Sequence, residues 1–71
     1  MTNTPLLEKY IDKSGYKRGY IAKTLGINSY TLAMKINNSS EFRASEIETL
    51  CELLNIDVSE RMSIFFAKSV D

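Results

Sequence analysis

Apolar residues recur at intervals of three and four along most of the chain, and this helical spacing restricts the fold more than any other feature. The run Ile47, Leu50, Cys51 and Leu54 is a clear example, since its side chains share one helix face. No segment alternates apolar and polar residues as a half-buried strand does. The sequence therefore predicts an all-α protein with five short helices, over residues 5–14, 18–25, 29–36, 44–54 and 58–67.

Residues with known preferences for helix ends stand at the predicted boundaries. Polar side chains that accept hydrogen bonds from a first helical turn are expected as N-caps or in capping boxes: Thr4, Asn28, Ser45 with Glu48, and Asp57 with Glu60. Residues that tolerate the left-handed conformation are expected to end helices: Gly15, Gly26, Asn37 with Asn38, and Asn55.

A chain of 71 residues is close to the smallest size at which one hydrophobic core supports a fold, so we expect a single domain over residues 1–71. The first residues lack the apolar stretch of a signal peptide, and no run approaches the length of a membrane span. The one cysteine, Cys51, has no partner for an internal disulfide. We therefore expect a core role for Cys51 and a reducing, cytoplasmic location for the protein.

The composition argues against an enzyme. The chain has no histidine and one cysteine, which excludes a histidine-based catalytic triad and a Cys/His zinc cluster. A carboxylate dyad stays open in principle, but the acidic residues fall at helix-surface and cap positions, and so small a bundle has little room for a cleft. We expect no catalytic residue, no metal, no cofactor and no small-molecule substrate.

Charge is distributed unevenly, although the formal net charge is +0. Residues 1–38 hold six lysines and arginines against two acidic residues, whereas residues 39–71 hold three against seven. A basic half that can meet phosphate and an acidic half that faces away are typical of proteins that bind nucleic acid. A solvated surface with a chance asymmetry gives the same pattern, so charge alone leaves both interpretations open.

The connection between the second and third predicted helices is only residues 26–28, so these two helices must cross steeply. Ala22 is small where helix 3 passes close to it, and Gly26 can adopt the positive φ that a tight turn needs. Ile27 can fill the corner between the helices. This is the pattern of a helix-turn-helix, in which the second helix enters the major groove of DNA.

The predicted faces of helix 3 differ in chemistry. Leu32 and Ile36 lie four residues apart and define its buried side, so Tyr30 and Met34 point to the opposite side, while Ser29 begins the helix. An aromatic ring and a thioether on an outward face suit a surface that another molecule covers. In a groove, both can contact thymine methyl groups, and hydroxyls can reach base edges. With a different helical phase, Tyr30 and Met34 would instead be core residues.

Two stretches of the chain resemble a known family. Residues 17–38, KRGYIAKTLGINSYTLAMKINN, resemble the Cro/C1-type helix-turn-helix proteins. Residues 40–66, SEFRASEIETLCELLNIDVSERMSIFF, resemble helices 4 and 5 of small prophage regulators in that family. The residues that carry the resemblance are Ala22, Gly26, Ile27 and Leu32. It covers nearly the whole chain and implies a five-helix, lambda-repressor-like DNA-binding domain.

The resemblance also implies roles for single residues. Ser29, Tyr30 and Met34 match positions that contact bases, and Arg18 matches the start of helix 2, where the family has a glutamine that contacts phosphate. Residues 38–40 match a loop whose backbone amides meet phosphate. The full set that we expect to contact phosphate is Lys17, Arg18, Asn28, Thr31, Lys35, Asn38, Ser39 and Ser40. Three cations near the motif can instead be ordinary solvated charges: Lys17, Arg18 and Lys23.

Five residues depart from the family's pattern. Arg18 replaces the usual glutamine, and Gly19 stands early in helix 2, where it costs up to roughly 1 kcal/mol of helix stability. Lys17 and Arg43 occupy positions where a serine or threonine cap is usual, and Lys35 occupies a position that is often apolar. These departures concern the phosphate contacts more than the fold.

We therefore expect a transcriptional regulator that binds operator half-sites on double-stranded DNA with helix 3. Because one short helix reads few base pairs, a homodimer on two half-sites is expected. Apolar residues near the C-terminus, Val70 among them, exceed what one helix face buries, and some of them can cap the monomer core. The candidates for the dimer contact are Met62, Phe65 and Phe66.

Two alternatives stay open. The same fold can serve as a protein-interaction module, for example an antirepressor that binds another regulator. Salt dependence distinguishes the two functions, because released counterions make DNA binding weaken steeply as salt rises. The chain can also be the N-terminal part of a longer repressor.

Overall fold

The computed structural model describes residues 1–68, and in that range the chain is all-helical. Its five helices are α1 (Thr4–Ser14), α2 (Arg18–Leu25), α3 (Ser29–Ile36), α4 (Ala44–Leu54) and α5 (Val58–Phe65). The predicted bounds of α2, α3 and α4 are confirmed, whereas α1 begins one residue earlier and α5 ends two residues earlier than predicted. Val70 lies outside the described residues. Within them, no helix combines the length and apolarity needed to cross a bilayer.

Two predicted helix ends are confirmed beside the connection between α2 and α3. Gly26 follows α2 with φ of 77°, the left-handed conformation that favours glycine. The side chain of Asn28 caps α3, since its Oδ1 accepts a hydrogen bond from the Thr31 N–H at 2.7 Å.

The predicted cap of α1 is wrong. Asn3, not Thr4, is the N-cap, and its Oδ1 accepts a hydrogen bond from the Leu6 N–H at 3.2 Å. Thr4 is the first helical residue, and its hydroxyl donates to the Ile36 carbonyl, which belongs to the last turn of α3. The Thr4 hydroxyl therefore satisfies a carbonyl that α3 itself leaves unpaired.

Both predicted capping boxes are also wrong. The N-cap of α4 is Arg43, one residue before the helix, so the acidic residue in register with it is Glu46 and not Glu48. A carboxylate oxygen of Glu46 accepts a hydrogen bond from the Arg43 N–H at 2.7 Å. At the start of α5, the Asp57 side chain makes no cap hydrogen bond among the described residues.

The core lies among the inward faces of all five helices. Its most completely buried large side chains are Leu7, Ile21, Leu32, Leu50 and Ile64. Cys51 is buried with them, as predicted, and this burial raises the pKa of its thiol, although Arg61 acts in the opposite direction. The thiol is accordingly a small core group and not an activated nucleophile.

Most of the helix packing joins helices that are not consecutive in the chain. α2 packs against α3 and α4, while α1 packs against α4 and α5. The N-terminal residues run between the ends of α3 and α5: Thr2 exchanges two backbone hydrogen bonds with the Asn38 side-chain amide, at 2.7 and 2.8 Å. On the other side, the Asn3 N–H donates to the Ile64 carbonyl at 2.6 Å. These bonds hold the last turns of α3 and α5 to one segment of chain.

Candidate functional site

The short connection between α2 and α3 fixes these helices against each other. The Ile27 N–H donates to the Ala22 carbonyl at 3.0 Å, which closes the end of α2. Ala22 is buried, and the Ile27 side chain packs against the core, as the sequence predicted. α3 is therefore held by its connection as well as by its own apolar side chains.

The first turn of α2 lies beside the first residue of α3. A Cβ atom built on Gly19 would lie 3.8 Å from the Ser29 hydroxyl oxygen, an ordinary contact distance. The basic residues Lys17 and Arg18 directly precede Gly19. Both are exposed, and they begin the helix whose first turn lies beside Ser29.

The outward face of α3 is uncharged. It consists of Ser29, Tyr30, Ala33, Met34 and Asn37. Tyr30 is 74% exposed, so its predicted exposure is confirmed, while Met34 is half-buried and only partly fits that prediction. The opposite side carries Leu32 and Ile36 in the core, which confirms the helical phase.

Two members of this face, Ala33 and Asn37, were not among the predicted site residues. Asn37 follows Ala33 by four positions, so the same helical spacing, continued by one turn, would have found it. Its Oδ1 accepts hydrogen bonds from the N–H and the hydroxyl of Ser39, at 3.0 and 2.7 Å. Its amide NH2 donates to no other group within residues 1–68. A methyl group and a hydrogen-bond donor therefore extend the face toward the end of α3.

The predicted phosphate contacts at the start of α2 are exposed. Lys17 is the N-cap residue of α2, and its side chain makes no cap hydrogen bond. The Arg18 guanidinium lies 3.3 Å from the Glu8 carboxylate, and both side chains are close to half exposed. Because an exposed ion pair of this kind contributes little free energy, a phosphate oxygen can replace the carboxylate at small cost.

Lys35 is not placed as predicted. The residue is 7% exposed, and its ammonium donates to a Glu46 carboxylate oxygen at 2.7 Å and to the Glu41 carbonyl at 3.2 Å. Burial by itself raises the pKa of Glu46. Hydrogen bonds from the Lys35 ammonium and the Arg43 N–H, together with the positive charges of the Lys35 and Arg43 side chains, outweigh burial and lower the pKa. The ammonium of Lys35 therefore faces an internal carboxylate, and a phosphate contact is not open to it.

The loop after α3 uses its backbone amides internally. The N–H groups of Asn38, Ser39 and Ser40 donate to carbonyls of α3, at 3.4, 2.8 and 3.3 Å. The expected contacts from these amides to phosphate therefore have no free donors in this conformation. The Asn38 side chain holds Thr2, and the Ser39 hydroxyl donates to Asn37 Oδ1, so among these groups the exposed hydroxyl of Ser40 is the donor left on the loop surface of the described chain.

The other two predicted phosphate contacts lie near the start of α3. The oxygen of the Asn28 amide is used in capping, as described above, while the residue itself is exposed. Thr31 is half-buried one turn into the helix. Both residues border the outward face of α3.

A second uncharged face lies on α5. Val58, Met62 and Phe66 follow one another at intervals of four and are 76%, 65% and 54% exposed. Phe65, a predicted dimer residue, is instead buried, and its ring meets the edge of Phe42 with centroids 5.5 Å apart. Exposed apolar residues are therefore present near the C-terminal end of the described chain, but they are Val58, Met62 and Phe66 and do not include Phe65.

Comparisons with protein-family models, with curated proteins and with solved structures found no match to this chain. The functional argument consequently rests on the geometry of the two uncharged faces and on the charges around them.

Proposed function

We propose that the chain is a sequence-specific DNA-binding transcriptional regulator of the Cro/C1 type, with α2 and α3 as the helix-turn-helix of a lambda-repressor-like domain. The observation that carries the proposal is the outward face of α3. A solvated helix face is normally charged, whereas this one is uncharged and largely exposed, and the exposed Lys17 and Arg18 begin the helix whose first turn lies beside Ser29. A major groove offers hydrogen bonds and thymine methyl groups to such a face, and phosphates on both sides of it.

The proposed contacts divide into base reading and phosphate binding. Tyr30 and Met34 supply apolar contacts to thymine methyl groups, and the hydroxyl of Ser29 reaches a base edge near the start of α3. Asn37 has only its NH2 group free, so it would donate to an acceptor such as N7 of a purine. The phosphate contacts come from the cations at the start of α2 and from the Ser40 hydroxyl after α3.

We further propose that two copies bind together through the face of Val58, Met62 and Phe66. The exposed residues between these are Ser59 and Ser63, so the whole face is uncharged and brings no like-charge repulsion against a second copy. Small serine side chains also permit two helices to approach closely. One short helix reads few base pairs, so a homodimer, which presents two such helices, doubles the number that are read.

The proposal contains no catalytic step and places the protein in the cytoplasm. It is tested by titrating fluorescently labelled duplex DNA with the protein at several salt concentrations. We expect affinity to fall linearly with salt on logarithmic axes, because bound phosphates release counterions. Absence of duplex binding by the folded protein would contradict the proposal.

Exposure of two uncharged faces also favours a second function, that of a module that binds another protein. Such a module would use the same Tyr30 and Met62 side chains but would show no salt-dependent affinity for duplex DNA. The titration therefore distinguishes the two functions.

A further inference from the structure

Lys35 and Glu46 form a buried ion pair between the last turn of α3 and the first turn of α4. Their nitrogen and oxygen atoms are 2.7 Å apart, and both residues are 7% exposed. The same carboxylate oxygen accepts the Arg43 N–H at 2.7 Å, and the ammonium also reaches the Glu41 carbonyl. One pair thus joins α3, the loop that follows it, and α4.

A buried ion pair of this kind contributes little net free energy to folding. Removing two charges from water costs several kcal/mol each, and well-packed apolar residues of similar volume often stabilise a fold as well or better. The pair instead specifies the relative orientation of the two helices. A hydrogen-bonded ion pair is favourable in one geometry, while apolar contacts tolerate small shifts.

α3 is a helix whose orientation must be fixed by few side chains. It has only eight residues, and its buried members are Leu32, Lys35 and Ile36. Leu32 and Ile36 hold it by apolar contacts, and the connection through Ile27 holds its first turn. Neither specifies one rotation about the helix axis as strictly as a hydrogen-bonded pair does. The third anchor, Lys35, is tied to a helix that belongs to the main core, so it fixes the rotation of α3 about its axis.

We propose that Lys35 and Glu46 are positioning residues for sequence recognition: they act from inside the protein and set the orientation in which the outward face of α3 meets the bases. This inference rests on the proposed function. It requires that loss of the pair reduces discrimination between DNA sequences while general affinity for phosphate is kept.

The test uses the double variant Lys35→Met with Glu46→Gln in the full chain. It removes both charges together, so that no unpaired buried charge remains, and the glutamine oxygen can still accept the Arg43 N–H. Lys17→Met is the matched control, because it removes an exposed lysine beside the outward face of α3. Circular dichroism establishes that each variant is folded at the temperature of the titrations.

Each variant is titrated against the duplex that the wild-type protein enriches from a random pool and against a scrambled duplex of equal length. We expect the double variant to lose about tenfold in the ratio of the two affinities, the effect of roughly one mismatched base pair, with an unchanged salt slope. Lys17→Met should keep the ratio and lower the salt slope by about 1.

A folded double variant that keeps the wild-type ratio would overturn the positioning role and leave the proposed function intact. A second double variant, Lys35→Met with Glu46→Met, removes both charges with apolar side chains alone, and a wild-type ratio in its folded form would have the same meaning. A wild-type protein that does not distinguish the duplexes would overturn the proposed function itself.

Discussion

Tyr30 lies where a side chain adds little to the core and much to a contact with another molecule. Because its ring is 74% exposed, Tyr30→Ala should leave the free energy of unfolding nearly unchanged. Affinity for the specific duplex should fall by about 1–3 kcal/mol, the effect of a lost base contact, while affinity for random duplex is kept. Thermal melts and paired titrations measure both quantities.

Leu32→Ala is the matched control, two residues further along the same helix. Leu32 is 1% exposed, so this change should cost about 2–5 kcal/mol of stability by opening a cavity. An early melt of the Tyr30 variant would contradict its assigned exposure. Intact folding with intact sequence preference would remove Tyr30 from the base-reading set.

Arg18 is predicted to contact phosphate, and its exposed pair with Glu8 does not prevent this. Arg18→Ala should weaken binding to all sequences equally and lower the salt slope by about 1. Glu8→Gln is the control, because it frees the guanidinium without removing it and should leave the slope equal or steeper. A change in preferred bases on Arg18→Ala would mean that the side chain reads sequence.

At the scale of single residues, burial was predictable where spacing determined it and not where a distant partner did. Leu32 and Cys51 follow from helical periodicity. Lys35 does not, because its partner Glu46 is eleven residues away in another helix and a lysine is ordinarily solvated. Phe65 ends α5 and Phe66 directly follows it, and Phe65 is the buried one because its ring packs against Phe42, which is distant in the sequence.

Among the helices, α2 offers the clearest test of local backbone chemistry. Gly19 lies in the helix, and a Cβ there meets nothing closer than 3.8 Å, so Gly19→Ala should stabilise the protein by about 0.5–1 kcal/mol. Gly26 has open space around it but a φ of +77°, so Gly26→Ala should instead destabilise by about 1–2 kcal/mol. Urea unfolding of both variants measures the change in the free energy of unfolding. Changes of the same sign in the two variants would contradict the roles assigned to these glycines.

Helix bounds were predictable wherever a local signal ends the helix. The end of α2 follows from Gly26, and the start of α3 follows from the Asn28 cap. The end of α5 does not, because the Ala67 N–H turns to the Met1 carbonyl at 2.9 Å and leaves the helical pattern. That partner is contributed by the far end of the chain, which no window of local sequence contains.

Within residues 1–68, one uncharged face lies on α3 and another on α5, and we propose that they bind DNA and a second copy respectively. Met62→Glu places a charge at the centre of the α5 face, where Met62 is largely exposed and removable without a cavity. Folding should be unchanged, while the dimer on a duplex with two half-sites should weaken about tenfold or more. Sedimentation measures the stoichiometry, and two copies per duplex at unchanged affinity would contradict the assignment.

Selection of bound sites from a pool of random duplex DNA tests the central claim most directly. We expect enrichment of a two-fold symmetric sequence whose half-sites lie about one helical turn, or 10 base pairs, apart. The Tyr30→Ala protein, selected in parallel, should enrich a less defined half-site with the same spacing. A folded wild-type protein that enriches no sequence at all would contradict the claim that this chain reads DNA.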